Sequence, residues 1–135
     1  MMTTCLALSL PAVPSSVRKA RVTVGEAAAG LGASARLVDD IRLCVSEAVS
    51  NVVRHAYGTR RGHVDVVVES KKGGLSVVVR DEGQGMRRDT AKRRTTGGYG
   101  LKIIDSVAER LTITSAREAG TEVRMTFSIP GALAR

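Results

Sequence analysis

Three polar residues recur at four-residue spacing in the stretch SEAVSNVVRHAYG, residues 46–58: Glu47, Asn51 and His55. In an α-helix this spacing stacks side chains along one face, so the three can meet a single ligand. A carboxylate one turn from an amide oxygen suits Mg²⁺, which needs only one or two protein oxygens beside phosphates and waters. A polar row at the boundary between core and solvent, without a ligand, explains the same spacing.

A second candidate site lies in VRDEGQGM, where a Val-rich segment runs into Asp81, Gly83 and Gly85. Glycines at the end of a strand allow positive φ and a close approach of the backbone to a ligand. Junctions between strands and turns also use Asp and Gly for geometry alone. By itself this pattern leaves a ligand site and a plain turn both open.

A third candidate is TTGGYGLKIID, in which Gly97, Gly98 and Gly100 stand just before a helical pattern. Unpaired backbone amides and the positive end of the helix dipole favour phosphate at such a position. No Gly-Lys-Ser/Thr follows, so the stretch is not a P-loop. Glycine caps and hinges also account for runs of this kind.

Together and in this order, the three stretches resemble the GHKL superfamily of ATP-binding domains, most closely its anti-sigma-factor serine/threonine kinase branch. SEAVSNVVRHAYG is similar to the N box, RDEGQGM to the first glycine box, GGYGLKIID to the second, and GTEVRMTF to the final Gly-Thr strand. ARVTV, at residues 20–24, also looks like that branch. The resemblance spans nearly the whole chain. It implies the Bergerat fold, a two-layer α/β sandwich with a mixed, mainly antiparallel sheet and helices on one face.

The resemblance also implies a role for each motif residue. Asn51 would hold Mg²⁺, and Glu47 would act as the general base on the attacking hydroxyl group. Asp81 would accept a hydrogen bond from the adenine amino group, with Thr121 near the same ring. The remaining implied nucleotide-binding residues are Gly83, Gly85, Gly98, Gly100 and Leu101, of which Gly98 and Gly100 would line the phosphates. His55 would either fix the helix end or pack beneath the site.

The segment between Met86 and Gly97 departs from the family pattern, because it is short and basic where the family has a longer and more varied lid. Arg93 and Arg94 either reach the γ-phosphate or lie in a solvated lid. The length and charge of this segment affect how the protein would enclose ATP and whether it would hydrolyse or transfer the γ-phosphate.

The elements that must position these motifs begin with a strand. Residues 4–10 alternate loosely between apolar and polar types and end at Pro11, which predicts an edge strand and a loop. Ser15 or Ser16 is then expected to cap a first helix that runs to about Leu31 and is terminated by Gly32.

The second helix carries the N box, and we expect Ser34 to cap it and Gly58 to follow its end. Its apolar positions recur with a period of about 3.6 residues: Leu37, Ile41, Cys44, Val45, Ala48, Val49 and Val52. HVDVVVES, a KKGG turn and LSVVVRD then predict a hairpin. After a polar loop at 82–98 and a third helix, RLTITSA and TEVRMTFSI predict another hairpin. The predicted order is β-α-α-β-β-loop-α-β-β.

Composition limits the classes of partner. The formal net charge of +8 raises nucleic acid as a partner, because clustered Lys and Arg neutralise phosphates. Only two Tyr and one Phe are present, so a base-stacking platform is not expected. We therefore expect no direct contact with nucleic acid.

Cys5 and Cys44 lack metal-ligand spacing and are expected to be buried free thiols in a reducing cytosol. The apolar N-terminal run lacks a Lys- or Arg-bearing start, and no stretch reaches the length of about 18 apolar residues that spans a bilayer. The expected location is the cytoplasm, without a membrane segment. The 135 residues fit one domain, 1–135, with its own core.

The resemblance implies an ATP-dependent serine/threonine protein kinase that acts as an anti-sigma factor. It would phosphorylate a STAS-type anti-anti-sigma antagonist and sequester a sigma factor, as a homodimer, with Arg18 and Arg21 of the first helix contacting a partner. The alternative is a non-catalytic switch that binds ATP and protein partners. Its support is the short lid, whereas the intact Glu47 favours the kinase.

Overall fold

The computed structural model describes residues 2–83, 99–116 and 119–130. Over these residues the chain forms a sheet and a helical layer in the predicted order. The elements are β1 (Thr3–Pro11), α1 (Pro14–Gly30), α2 (Ala35–Asn51), a π turn (Val52–Ala56), β2 (His63–Lys71), β3 (Gly74–Asp81), α3 (Tyr99–Val107), β4 (Arg110–Ala116) and β5 (Gly120–Ser128).

The five strands form one sheet in the order β1-β2-β3-β5-β4, and each of the four pairings is antiparallel. Sequential hairpins join β2 to β3 and β4 to β5, so the β3–β5 pairing is the central non-local contact. It places Asp81 opposite Thr121. This is the GHKL-like α/β sandwich that the sequence predicts, although the pairings of the described strands are all antiparallel and the expected sheet was mixed.

The core lies between the sheet and the helices, because alternate side chains of each strand point toward the helices. Val64, Val66 and Val68 are completely buried and share one hydrophobic cluster with Ile41 and Val45 of α2. Every second residue of each strand points away from that cluster. The helices therefore cover one face of the sheet.

The opposite face of the sheet carries charged side chains around the paired residues Val67 and Val78. Arg80 pairs with Glu122 at 2.8 Å, and Arg124 pairs with Glu69 at 2.6 Å. The first pair joins the neighbouring strands β3 and β5, whereas the second reaches from β5 across β3 to β2.

The start of α1 differs from the prediction. Val13 is the capping residue and makes no side-chain capping bond, while Pro14 occupies the first helical position. Proline suits that position because its missing N–H would have no partner there. Ser16 lies inside the helix instead, and its hydroxyl group donates to the Pro11 carbonyl at 2.6 Å. The predicted cap at Ser15 or Ser16 was therefore wrong.

The cap of α2 is confirmed, since the Ser34 hydroxyl group accepts a hydrogen bond from the Leu37 amide at 3.1 Å. The cysteine prediction holds for Cys44, which is buried, and is wrong for Cys5, which is exposed. Cys5 lies where the β1–β2 register shifts between Thr4 and Leu6. Cys5 is the extra residue of a β-bulge, so its side chain does not follow the alternation that buries other residues of the sheet.

No helix in the described ranges has both the length and the apolar character needed to cross a bilayer.

Candidate functional site

Glu47 and Asn51 lie on the last turns of α2, half-buried at the edge of its apolar face. Val45, Ala48 and Val49 form the buried apolar face of the helix. Residues at the edge of this face border both the core and the solvent. Asn51 is the last residue before the backbone changes to the π turn. Single π turns of this kind often accompany functional sites in helices.

Helix α3 brings the second glycine box to these two side chains. A Cβ built on Gly100 would lie 3.4 Å from Glu47 Oε1 and 3.5 Å from Asn51 Nδ2. The glycine thus leaves a space, one methyl group wide, beside a carboxylate and a carboxamide. The first amides of a helix lack intrahelical acceptors, so the start of α3 adds donors that favour an anion here.

These groups fit Mg²⁺ held mainly by phosphate oxygens. The space that a Cβ at Gly100 would fill is bordered by Glu47 and Asn51, and a half-turn of the carboxamide presents its oxygen. Such a cation needs one or two protein oxygens when phosphates supply the others. Within the described residues, no group of three or more His, Cys, Asp or Glu residues is placed to hold a metal ion.

Asp81 forms a second part of the candidate site at the end of β3. Its side chain is buried, and Oδ1 accepts a hydrogen bond from the Gly83 amide at 2.9 Å. Burial raises the pKa of the Asp81 carboxyl group above its usual value of 3.8, while backbone hydrogen bonds from Gly83 and Thr121 act in the opposite direction. A desolvated carboxylate of this kind is a strong acceptor for a ligand donor.

Two glycines permit the close packing around Asp81. Gly120 has φ +88°, and a Cβ there would overlap the Asp81 carbonyl oxygen. A Cβ on Gly83 would overlap the carbonyl oxygen of Ala56, at the end of the π turn. The first glycine box therefore packs directly on the end of the N-box helix.

Tyr57 links the same two segments, although no motif in the sequence predicts a role for it. Its hydroxyl group donates to the His63 carbonyl at 2.6 Å and accepts from the Glu82 amide at 2.9 Å. The scarcity of aromatic residues, with Tyr57 directly before the helix-ending Gly58, was the available sequence signal.

The other predicted site residues occupy varied surroundings. Thr121 is half-buried, with its hydroxyl oxygen 3.0 Å from that of Ser115. Leu101 is buried in the hydrophobic core, and His55 is exposed on the π turn. Gly85, Gly98 and the basic segment 86–97 lie outside the described residues. Glu47, Asn51 and Gly100 thus meet at one place, and Asp81, Gly83 and Thr121 at another.

The fold and the arrangement of the motifs match a known protein family. The family model of the histidine kinase-like ATPase domain matches residues 10–127. The chain belongs to this family. The match covers the N box, β3 and α3, so the GHKL resemblance drawn from the motifs is confirmed.

Relatives of this ATPase domain include the serine-protein kinase RsbW of Staphylococcus aureus, from strains RF122 and MRSA252. Each is 27% identical over an alignment of 134 residues, and the matched region covers 88% of this chain and 83% of the relative. The similarity therefore extends over most of both proteins and supports the anti-sigma kinase branch.

Solved structures show the same relationship. A crystal structure of RsbU and RsbW domains from Mycobacterium tuberculosis matches 92% of this chain with a TM-score of 0.73 and 25% identity. The match spans 32% of that longer chain. A histidine kinase domain from a blue-light activated histidine kinase of Erythrobacter litoralis has a TM-score of 0.66 at 22% identity, over 84% of this chain and 63% of the other. The second likeness concerns the fold alone.

Proposed function

We propose that this protein is an ATP-dependent serine/threonine protein kinase that acts as an anti-sigma factor. It phosphorylates a STAS-type anti-anti-sigma antagonist and, in its other partnership, sequesters a sigma factor. The observation that carries the proposal is the approach of Gly100 to Glu47 and Asn51, because it joins a base, a metal ligand and a helix N-terminus. The similarity to RsbW kinases supports the choice of substrate and partners.

Each group at the site has a task in phosphoryl transfer. Asn51 holds Mg²⁺, which neutralises phosphate charge when Mg-ATP is bound. Amides at the start of α3, from Gly100 onward, stabilise phosphate oxygens. Glu47 accepts the proton of the attacking serine hydroxyl group, and Asp81 accepts a hydrogen bond from the adenine amine. Transfer of this kind needs mainly positioning and charge stabilisation.

The direct test is a transfer assay with γ-labelled ATP and each STAS-domain protein encoded in the same genome, followed by mass spectrometry of the labelled serine. We expect transfer by the wild-type protein. Glu47→Gln should keep ATP affinity and lose on the order of 10²-fold or more in transfer rate, because the amide cannot take the proton. Asp39→Asn is the matched control, since Asp39 is an exposed carboxylate near the start of α2, two turns before Glu47.

The outcomes separate the two candidate functions. ATP binding without transfer to any STAS-domain protein would favour the non-catalytic switch, in which nucleotide controls partner binding. Full transfer by Glu47→Gln would remove the general base from the mechanism. Absence of ATP binding would reject both functions.

For the partner surface we propose α1, where Arg18 is exposed and Arg21 is half-buried. Charge reversal at Arg18 should weaken binding to a sigma factor or antagonist while ATP affinity stays unchanged. We further propose a cytoplasmic homodimer in which residues 1–135 form one domain. Light scattering of the purified protein, with and without ATP, tests the dimer.

A further inference from the structure

We propose that Tyr57 is a positioning residue for base recognition. Its hydroxyl group holds the turn after β3 and thereby orients the carboxylate of Asp81 toward adenine. This inference rests on the proposed nucleotide site and adds to it a residue that contacts neither the base nor the phosphates.

The Tyr57 hydroxyl group uses its hydrogen-bonding capacity on the backbone of two other segments. Its one proton goes to the His63 carbonyl at 2.6 Å, so the 2.9 Å contact with the Glu82 amide must be one in which the tyrosine accepts. The group therefore joins the end of the N-box helix to the first residue of β2 and to the turn after β3. The Glu82 and Tyr57 partners are 25 residues apart in the chain.

Glu82 lies between Asp81 and Gly83, the two residues that a local hydrogen bond joins. The position of the Glu82 amide therefore influences the orientation of the Asp81 side chain. Gly83 donates its amide to Asp81 Oδ1 at 2.9 Å, and together with the backbone hydrogen bond from Thr121 this sets the plane of the carboxylate. A shift of the Glu82 peptide moves the Gly83 donor directly. Holding the Glu82 amide therefore holds the Asp81 side chain.

The aromatic ring is itself confined, so the hydroxyl group has a defined position. A Cβ on Gly62 would overlap the ring carbons of Tyr57, which shows how closely backbone and ring pack. Gly83 lies equally close to the Ala56 carbonyl, one residue before Tyr57. Ring, hydroxyl group and glycine contacts together make a rigid connection between the helix and the turn.

The test is Tyr57→Phe, which keeps the ring and removes the hydroxyl group. Glu82 is exposed, so water can replace the lost partner of its amide and the fold should persist. Calorimetry with Mg-ATP and Mg-GTP should show ATP affinity reduced about 3- to 10-fold, the worth of one net hydrogen bond. GTP affinity should change little, so the preference for ATP narrows.

Three further measurements separate positioning from a structural effect. Glu82→Pro removes the amide donor together with the exposed Glu82 side chain, and Asp81 before it is the last residue of β3, whose extended backbone suits a following proline. With Glu82→Ala as its control for the lost side chain, Glu82→Pro should narrow the preference for ATP over GTP while Tyr57 is intact. Ser76→Ala, which breaks the buried 3.1 Å hydroxyl pair with Thr126 on the sheet face opposite the helices, should leave the preference for ATP over GTP unchanged. In an Asp81→Asn background, Tyr57→Phe should have almost no further effect on ATP affinity.

Equal weakening of ATP and GTP in Tyr57→Phe, or an unchanged preference in Glu82→Pro, would overturn the positioning role while leaving the proposed function in place. A wild-type protein that binds neither nucleotide would overturn the proposed function, and this inference with it.

Discussion

Gly100 of α3 faces the carboxylate of Glu47 across a gap that one methyl group would fill. A Cβ on this glycine would lie 3.4 Å from Glu47 Oε1 and 3.5 Å from Asn51 Nδ2. The same glycine lets the start of α3, with its unpaired amides, approach the end of α2. The geometry therefore connects two motifs that are far apart in the chain, and it makes Gly100 the sharpest point at which to test the site.

Gly100→Ala should separate stability from ligand binding. Alanine is the better helix former, so the free energy of unfolding should stay constant or rise by about 0.5 to 1 kcal/mol. The new methyl group enters the proposed phosphate space, and Mg-ATP affinity should fall on the order of tenfold. Thermal unfolding and calorimetry measure the two effects. Gly30→Ala, at the end of α1, is the control, because a Cβ there meets nothing within 4 Å. Unchanged ATP affinity in Gly100→Ala would contradict a phosphate site at this place.

Asn51→Ala should abolish the part of ATP affinity that depends on Mg²⁺. The carboxamide is the metal's proposed protein oxygen, and its loss leaves phosphate charge incompletely neutralised. The expected result is that titrations with Mg²⁺ and with a chelator give similar affinities in the variant and different ones in the wild type. A Mg²⁺ effect of wild-type size in Asn51→Ala would remove this residue from the metal site.

Asp81 should select adenine over guanine. A carboxylate accepts from the adenine amine, whereas guanine places a carbonyl oxygen there, and each unpaired buried group costs about 1 to 3 kcal/mol. The wild type should prefer ATP to GTP by roughly tenfold or more. Asp81→Asn should weaken ATP and narrow the preference. The measurement is a thermal-shift titration with both nucleotides, and equal stabilisation of the wild type by the two would show that Asp81 is only a turn residue.

The raised pKa of Asp81 gives binding and folding opposite dependences on pH. Without ligand, its contribution to stability is fully present below the usual pKa of 3.8 and is lost as the pH rises through the raised value. ATP binding favours the charged form, so ATP affinity should fall as the pH falls through that value. Comparison with Asp81→Asn, which cannot titrate, isolates this effect from ionisation of the phosphates. Identical pH profiles in both proteins would contradict it.

Cys44 should make folding sensitive to alkaline pH. Burial raises the pKa of its thiol from 9.0 to about 12, with smaller contributions from Asp40 and Glu47. The stabilisation is complete below pH 9 and disappears as the pH rises toward 12, by up to about 1.4 kcal/mol per unit. Urea unfolding under reducing conditions should show this loss in the wild type and in Cys5→Ala, but not in Cys44→Ala. A loss of equal size in all three would assign it to other groups.

The local parts of this fold follow from the sequence. The period of the apolar residues in α2, the Ser34 cap and the Val-rich hairpin depend on neighbours within a few positions, and all three are present in the structure. The motifs were recognisable for the same reason, since each is a short run of residues. Two local predictions were wrong. Helix α1 begins at Pro14, before the two serines that were expected to cap it, and a bulge in β1 leaves Cys5 outside the core.

The sequence by itself determined the order of the elements, the buried face of α2 and the residue types available at the site, because these depend on periodicity and on side-chain chemistry. Only the tertiary structure decided that Gly100 meets Glu47, that Gly120 packs on Asp81, and that Tyr57 holds the Glu82 amide. Those contacts join segments far apart in the chain. They depend on how the sheet and the helices pack together, and no local pattern encodes a distance between two elements.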